Sequence, residues 1–452
     1  MPDRPIPIHL PTVGASAVEY PDSKVAASVS LNDWLTYIEQ CHPSEIELGL
    51  ERIRVVYERM GIAGKLPKIV TVAGTNGKGT TTHCLDAIAR HHGLKTGLYT
   101  SPHLIRYNER VRISGVPVGD GILVEGFEAV RRAQQDITLT YFEYGTLCAL
   151  SVFANQDLDL VILEVGLGGR LDAVNVVEPS IAAITSIGLD HCDWLGSTRD
   201  QIGIEKAGII RPGISVVCTE GDVPESVKRL FKENNCAIHQ LNTDFSVLQN
   251  GNCFDYFRPI QSEAPIYKSL PVGEYNVSNL AGALKLAELL GLQLHEPSLH
   301  KAFADLRLNG RQQIISKTPW VMLDVGHNPD AMRALSLKLM QLKQGSNGKT
   351  IAIIGMLKDK DIASSIIELL PAIDQWHAVS IFGSPRVSDA HKIADLIRAA
   401  GGEVVSEGKS VVSCFQQCLN EVTSRDRLVV VGSFLTVSPI LKEYEDGTWI
   451  KG

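Results

Sequence analysis

Short runs dense in β-branched and apolar residues alternate along this chain with stretches whose apolar positions recur every three or four residues. KIVTVAG (68–74), KTGLYTS (95–101), DLVILEVG (159–166), SIAAITSIG (180–188) and ISVVCT (214–219) have few polar interruptions, the pattern of strands covered on both faces. Between the first two lies GTTTHCLDAIARHHG, where Leu85, Ile88 and Ala89 mark a helix face and Gly93 suits its stop. Strand–helix–strand order of this kind predicts a parallel α/β sheet with right-handed crossovers. The rhythm returns from residue 320 in WVMLDVG, KTIAIIGML, AVSIFGSP, GEVVSEG and RLVVVGSF, a second, smaller doubly wound unit. Polar RLNGRQQI (307–314) follows a helix expected to start near Asn276 and reads as the junction. The expected division is a mobile extension over 1–28, a larger unit over 29–309 and a smaller one over 310–452, joined near Gly310.

Charge and cysteine content narrow the functions open to such a chain. A formal charge of -8 argues against a broad nucleic-acid footprint. It leaves room for small anions held by a few converging cations and backbone amides. No run of about 18 apolar residues occurs, and the proline-rich opening MPDRPIPIHLPTVGASAVEYPDSK lacks a signal-peptide core. Nine scattered cysteines contain no C-x-x-C pair, so neither a disulfide framework nor a zinc site is expected. Cys414 and Cys418, four apart, read as packing on one helix face. A reducing, cytoplasmic setting without membrane or nucleic-acid partners fits these features.

The stretch TVAGTNGKGTTT (71–82) sits after a strand and before a helix, where a phosphate loop belongs. It departs from G-x-x-x-x-G-K-[ST]: Val72 stands at the first glycine position, and Gly79 separates Lys78 from Thr80. Gly74, Gly77 and Gly79 free the backbone to turn its N–H groups toward one point, and Lys78 can reach terminal phosphates. Three further strand ends share that edge, at Ser101, Glu164 and His191. In open parallel sheets ligands collect outside the carboxyl ends of strands. A hydroxyl, a carboxylate and an imidazole there could hold one Mg²⁺ beside a nucleotide, or could serve packing and ion pairing. Lys206, in a helix that Thr198 could cap and that Gly208 could end, reads on its own as an ordinary helical lysine. The glycines of EVGLGGRLDAVN (164–175) suit either close approach to a ligand or a tight loop.

Taken with LNDWLTYIEQCHPSEIELGLERI, YTSPHLIRYNERVRISG, LTYFEYGTLCAL, ITSIGLDHCDWLG, EKAGI, NGRQQ, LDVGHNP and VGSFLTVSP, the chain from Leu31 resembles the folylpolyglutamate synthase/dihydrofolate synthase family of the Mur ligase superfamily, in its bacterial bifunctional form. The G-T-x-G-K pattern of these ligases accounts for the unusual loop. The resemblance implies a P-loop-containing, mostly parallel sheet domain of the Mur ligase central type, followed by a smaller Rossmann-like α/β domain. It implies an ATP-dependent amide ligase acting on dihydropteroate or reduced folates with L-glutamate, through an acyl phosphate. Gly77, Lys78, Gly79 and Thr80 match its ATP-phosphate loop, and Asn279, Arg311 and Asp324 match further ATP contacts. His327 lies beside the last of these. Ser101, Glu164 and His191 match Mg²⁺ ligands. Lys206 matches a lysine that is carbamylated in many of these enzymes and helps hold a second Mg²⁺. The implied catalytic groups are thus Lys78, Lys206 and His191. Thr140, Tyr141, Phe142 and Glu143, with Leu171, Asp172 and Ala173, match segments lining the pterin pocket. A monovalent cation is also compatible, and a monomer is expected. Asn309 and Gly326 replace the proline and alanine usual at the junction and in D-x-A-H-N-P, changes expected to loosen the hinge.

Two other readings stay open at this point. A cell-wall Mur ligase would need a separate UDP-binding domain before the phosphate loop, and the 73 residues ahead of Gly74 are expected to be too few for it. A non-ligating ATPase switch would have less use for a second α/β unit carrying Arg311 and Asp324.

Overall fold

The runs poor in polar residues become five strands of the first sheet, β1 (Lys68–Ala73), β2 (Thr96–Tyr99), β5 (Leu160–Glu164), β6 (Ile181–Ile184) and β7 (Ser215–Cys218), to which β3 (Val111–Ile113), β4 (Val116–Pro117) and β8 (Ala237–Gln240), not read from sequence, are added at the margins. The computed structural model describes residues 29–44, 46–258, 262–344, 347–381 and 386–447; the expected 1–28 extension lies outside them. The strands run in the order β4-β3-β2-β5-β1-β6-β7-β8. From β2 to β8 the pairing is parallel, and β3 and β4 add an antiparallel edge. Because the chain returns to flank β1 on both sides, the carboxyl ends of β1, β5 and β6 come together. Val72 pairs with Glu164 in register, which sets that carboxylate at the start of the glycine loop.

Both faces of the sheet are covered. On one, helix Lys78–His91 packs against helix Val277–Leu289, which starts beside Asn276 as expected and is capped by its side chain. On the other, helices Asp120–Gln134 and Tyr141–Ala154 meet the N-terminal helix Leu31–Gln40 around Trp34, Phe127 and Tyr144. Trp34 stacks on Phe127 at 5.8 Å between ring centroids. Truncating either ring would cost about 3–5 kcal/mol. The capping residues expected around Lys206 also hold: helix Arg199–Ala207 starts at Thr198, whose side chain accepts the Gln201 N–H, and ends at Gly208.

A three-stranded antiparallel sheet, β9 (Ser246–Asn250), β10 (Cys253–Phe257) and β11 (Tyr267–Pro271), has no counterpart among the runs read from sequence. Its strands are half-exposed, so buried Phe254, Tyr256 and Leu270 alternate with polar residues in segments of only five.

The second sheet comprises β12 (Gln313–Lys317), β13 (Trp320–Asp324), β14 (Thr350–Ile354), β15 (Gln375–Ser380), β16 (Val404–Ser410) and β17 (Arg427–Val431), in the order β12-β13-β17-β14-β15-β16. It is parallel except for β12, which pairs antiparallel with β13. The polar segment read as a junction therefore enters directly into an edge strand.

Candidate active site at the facing sheet edges

Local sequence dictates the loop after β1. Gly77 has φ 89° and caps helix Lys78–His91, and a Cβ there would collide with the Asn279 side chain. Glycine thus lets Asn279 close over the loop. Asn76 is pinned at its N–H by Ser186 Oγ at 2.9 Å and at its carbonyl by Thr185 Oγ1 at 2.6 Å. Lys78, Gly79 and Thr80 form the first helical turn, whose N–H groups and dipole favour anions. Lys78 Nζ donates to the carbonyls of Gly74 at 2.8 Å and Thr75 at 3.2 Å. Burial draws its ammonium below the usual lysine range, against the opposing pull of Glu164.

Glu164 is buried at the end of β5, and its Oε2 accepts the Ser101 N–H at 3.2 Å. Burial raises its carboxyl, offset by Lys78 and Arg311. Gly79 lies against it, since a Cβ there would sit 3.6 Å from Oε1. Lys206 is 4% exposed, and burial together with the Lys78 charge brings its amine down to about 7. Burial likewise lowers His191 to about 4, leaving a neutral imidazole. Glu164 and Ser101 meet at adjoining strand ends, and His191 shares with Glu164 the field of Lys78; a carboxylate, a hydroxyl and a neutral imidazole are groups that could hold Mg²⁺. His191 Nε2, however, is engaged by Lys360 Nζ at 3.0 Å, so this nitrogen is free for a metal only when Lys360 withdraws.

Lys360 comes from the second unit, in GMLKDKD after β14. Its side chain is 3% exposed and also donates to Asp190 Oδ1 at 2.7 Å. Burial alone would raise Asp190, yet His327, Lys360 and His191 together hold its carboxyl well below the usual range. Asn328 completes the bridge: its amide exchanges two hydrogen bonds with Asn76, at 3.0 and 3.1 Å, and donates to Asp190 Oδ2 at 3.2 Å. His327 Nε2 stands 3.6 Å from the same oxygen. Sequence reading named His327 but missed Asp190, Asn328 and Lys360. Nearby, Gly79, Ser101 and Glu164 face Arg311, Val325 and Phe434 across a cavity of about 280 Å³. Asp324 is buried beside Arg311, its carboxyl raised by burial and pulled back by the Gly326 N–H and Arg311.

A family model of the Mur ligase middle domain matches residues 72–287, and one of the Mur ligase glutamate ligase domain matches residues 310–434. A relative from Escherichia coli named dihydrofolate synthase/folylpolyglutamate synthase is 38% identical, over 92% of this chain and 96% of its own length. The chain belongs to the dihydrofolate synthase/folylpolyglutamate synthase family of Mur ligases. A Bacillus subtilis relative of the same name is 30% identical over 88% of this chain and 95% of its own. Among solved structures, Escherichia coli FolC in complex with DHPP and ADP is similar at a TM-score of 0.87 and 37% identity, covering 93% of this chain and 99% of that one. A Yersinia pestis bifunctional enzyme complexed with AMPPNP and Mn ion gives 0.85 and 40%, with the same coverages. Membership makes the chain an ATP-dependent acid–amino-acid ligase. This family match also removes the cell-wall and switch readings.

The segments that resemble the family's pterin pocket adjoin this edge. Thr140 and Glu143 form a capping box on helix Tyr141–Ala154, and buried Glu143 is also paired with Arg52 at 3.2 Å. Both side chains are therefore held by the helix start. Tyr141 lies under the Arg110 guanidinium, at 5.5 Å from its ring centroid. Phe142 packs over Gly166, where a Cβ would meet the ring at 2.5 Å. Gly169 meets the Glu205 carbonyl in the same way, at 2.7 Å, so protein contacts suffice to explain these two glycines. Leu171 accepts the Gly49 N–H, and Asp172 caps the short turn Ala173–Val176 by accepting the Val174 N–H.

Both departures at the junction make local contacts. Gly326 donates to Asp324 Oδ1 at 2.5 Å, and a Cβ there would crowd that oxygen at 2.6 Å. Asn309 bridges Gln313 and Glu445, at 3.2 and 3.3 Å.

Proposed function

We infer that this protein joins L-glutamate to 7,8-dihydropteroate and adds further γ-linked glutamates to tetrahydrofolates. The facing of Glu164 and Arg311 across one interdomain cavity, with the Lys78 charge acting on Glu164 beside it, in a chain of this family, is the observation that carries the reading. A carboxylate resists attack by an amine, and phosphorylation by ATP turns it into an acyl phosphate with a good leaving group. The glutamate amine then adds, and the tetrahedral intermediate expels phosphate. The protein contributes position and charge.

In this reading Gly77, Lys78, Gly79 and Thr80 hold the ATP phosphates, while Asn279, Arg311 and Asp324 contact the nucleotide from either side. Ser101, Glu164 and His191 would hold Mg²⁺, which when bound neutralises phosphate charge. Lys206, buried and brought down to about 7, has at neutral pH a large neutral fraction able to take up carbon dioxide. As a carbamate it would supply oxygens for a second Mg²⁺, and a monovalent cation is compatible with the site. Thr140, Tyr141, Phe142, Glu143, Leu171, Asp172 and Ala173 face the pterin, with Phe142 offering a ring for stacking. Residues 29–309 act as the ATP- and pterin-binding unit and 310–452 as the closing unit, in a cytoplasmic monomer.

The test supplies ATP, Mg²⁺ and glutamate with dihydropteroate or tetrahydrofolate in parallel and identifies products by mass. Glutamylated product with both acceptors supports the reading. ADP formed at full rate without either acceptor overturns it.

A further inference from the structure

His377, Cys414 and Cys418 form a cluster that the ligase chemistry leaves unused. Cys414 and Cys418 lie one turn apart on helix Val411–Glu421, which packs against β14, β15 and β16. His377 lies on β15, two residues from Val379, and so on the face that meets this helix. One donor atom from each of the three residues lies within 4.8 Å of the other two. All are buried, at 3%, 0% and 1% exposure. The Ser406 hydroxyl on β16 stands 2.7 Å from His377 Nδ1 and also contacts Cys414.

Packing alone explains two small apolar thiols, but not an imidazole and a hydroxyl brought to them inside an apolar layer. Buried polar groups carry a desolvation cost that only partners offset. Two sulfurs, one nitrogen and an adjacent hydroxyl oxygen are a soft donor set, of the kind that selects zinc in tetrahedral geometry or copper(I) at lower coordination. The i, i+4 spacing brings both sulfurs onto one side of the helix.

We propose that His377, Cys414 and Cys418 bind one soft d10 metal ion, zinc(II) or copper(I), which clamps β15 to helix Val411–Glu421. Binding forms two metal–sulfur bonds and one metal–nitrogen bond and releases the thiol protons to solvent. The ion is structural: it joins two elements of the second unit and takes no part in glutamate transfer. The proposal goes beyond the reading from sequence, in which the two cysteines serve packing on one helix face.

The full chain, produced separately with zinc or with copper(I) under reducing conditions, tests the proposal. Metal analysis is expected to find one equivalent per chain, and X-ray absorption at the metal edge to find sulfur in its shell. Cobalt exchanged into the site is expected to give a thiolate charge-transfer band, which an ion on Ser101, Glu164 and His191 cannot produce. Cys414→Ser with Cys418→Ser should abolish the band and the bound equivalent, whereas Cys253→Ser should keep both. Chelation should lower the thermal midpoint of the unsubstituted chain and leave that of the double variant unchanged. Absence of bound metal after both preparations overturns the proposal, as does a metal shell without sulfur. Should the double variant fail to fold, X-ray absorption on the unsubstituted chain decides alone.

Discussion

The two parallel sheets of this protein present their carboxyl edges to each other, yet load them differently. The first edge buries groups that conflict with burial: Lys78 and Lys206 are drawn below the usual lysine range, and Glu164 is raised above the usual carboxylate range. The second edge supplies Lys360 and Asn328, which pair with residues of the first and leave few open valences of their own. One edge keeps unresolved charge ready for a ligand; the other satisfies charge across the gap. Perturbed groups of the first kind mark chemistry, whereas complementary groups of the second kind set how the halves meet.

The largest test removes the perturbed charge. Lys78→Ala and Glu164→Ala are each expected to lower kcat for glutamate ligation by about 10²–10³-fold or more, with the thermal midpoint largely kept. Near-normal turnover with saturating ATP would place the chemistry elsewhere. Lys360→Met strikes the opposite edge. It leaves Asp190 buried beside a missing cation, a loss of about 3–5 kcal/mol for the closed arrangement. Scattering in ATP and substrate should then report a more open particle, and an unchanged profile would show that the pair does not govern closure.

Asn328→Ser is a milder version. It retains an oxygen to cap helix Pro329–Lys343 but drops the reciprocal amide bonds to Asn76. Closure should weaken by about 1–2 kcal/mol, read as a several-fold rise in KM for ATP. The smallest effect concerns stability alone. Burial raises Asp172 from 3.8 to about 6, so between those values the folded chain holds a proton that the unfolded chain releases. Its contribution to stability is therefore full at low pH and lost as pH rises through 6. Asp172→Asn should flatten that part of a denaturation-midpoint curve, and a curve identical to that of the unsubstituted protein would refute the assignment.

What could be read from sequence followed from how local each feature is. The phosphate loop was legible because strand, glycines, lysine and helix are contiguous, and Glu164 because it ends an apolar run. Lys360 was not: between Asp359 and Asp361 it looks like a solvated charge run, and only the meeting of the two sheets buries it. Lys206 looked ordinary until the family resemblance singled it out, since its burial depends on the glycine loop folding back onto Glu205. The small antiparallel sheet stayed hidden because five-residue alternation is too short to separate from loop. The cysteine pair was legible as a helix face, but the histidine that joins it comes from another strand.

The way Lys78 rests in this structure has a consequence for which anions the loop admits. Two of the three N–H donors of its ammonium are given to backbone carbonyls, so an anion that draws the lysine out competes with acceptors already in place. A ligand with a single point of contact cannot meet the lysine and the amides of the following helix turn at once. A polyphosphate can, because one group draws the lysine out while its neighbour takes the amides. The resting loop thereby favours a ligand with two adjacent anionic groups over one with a single anionic contact.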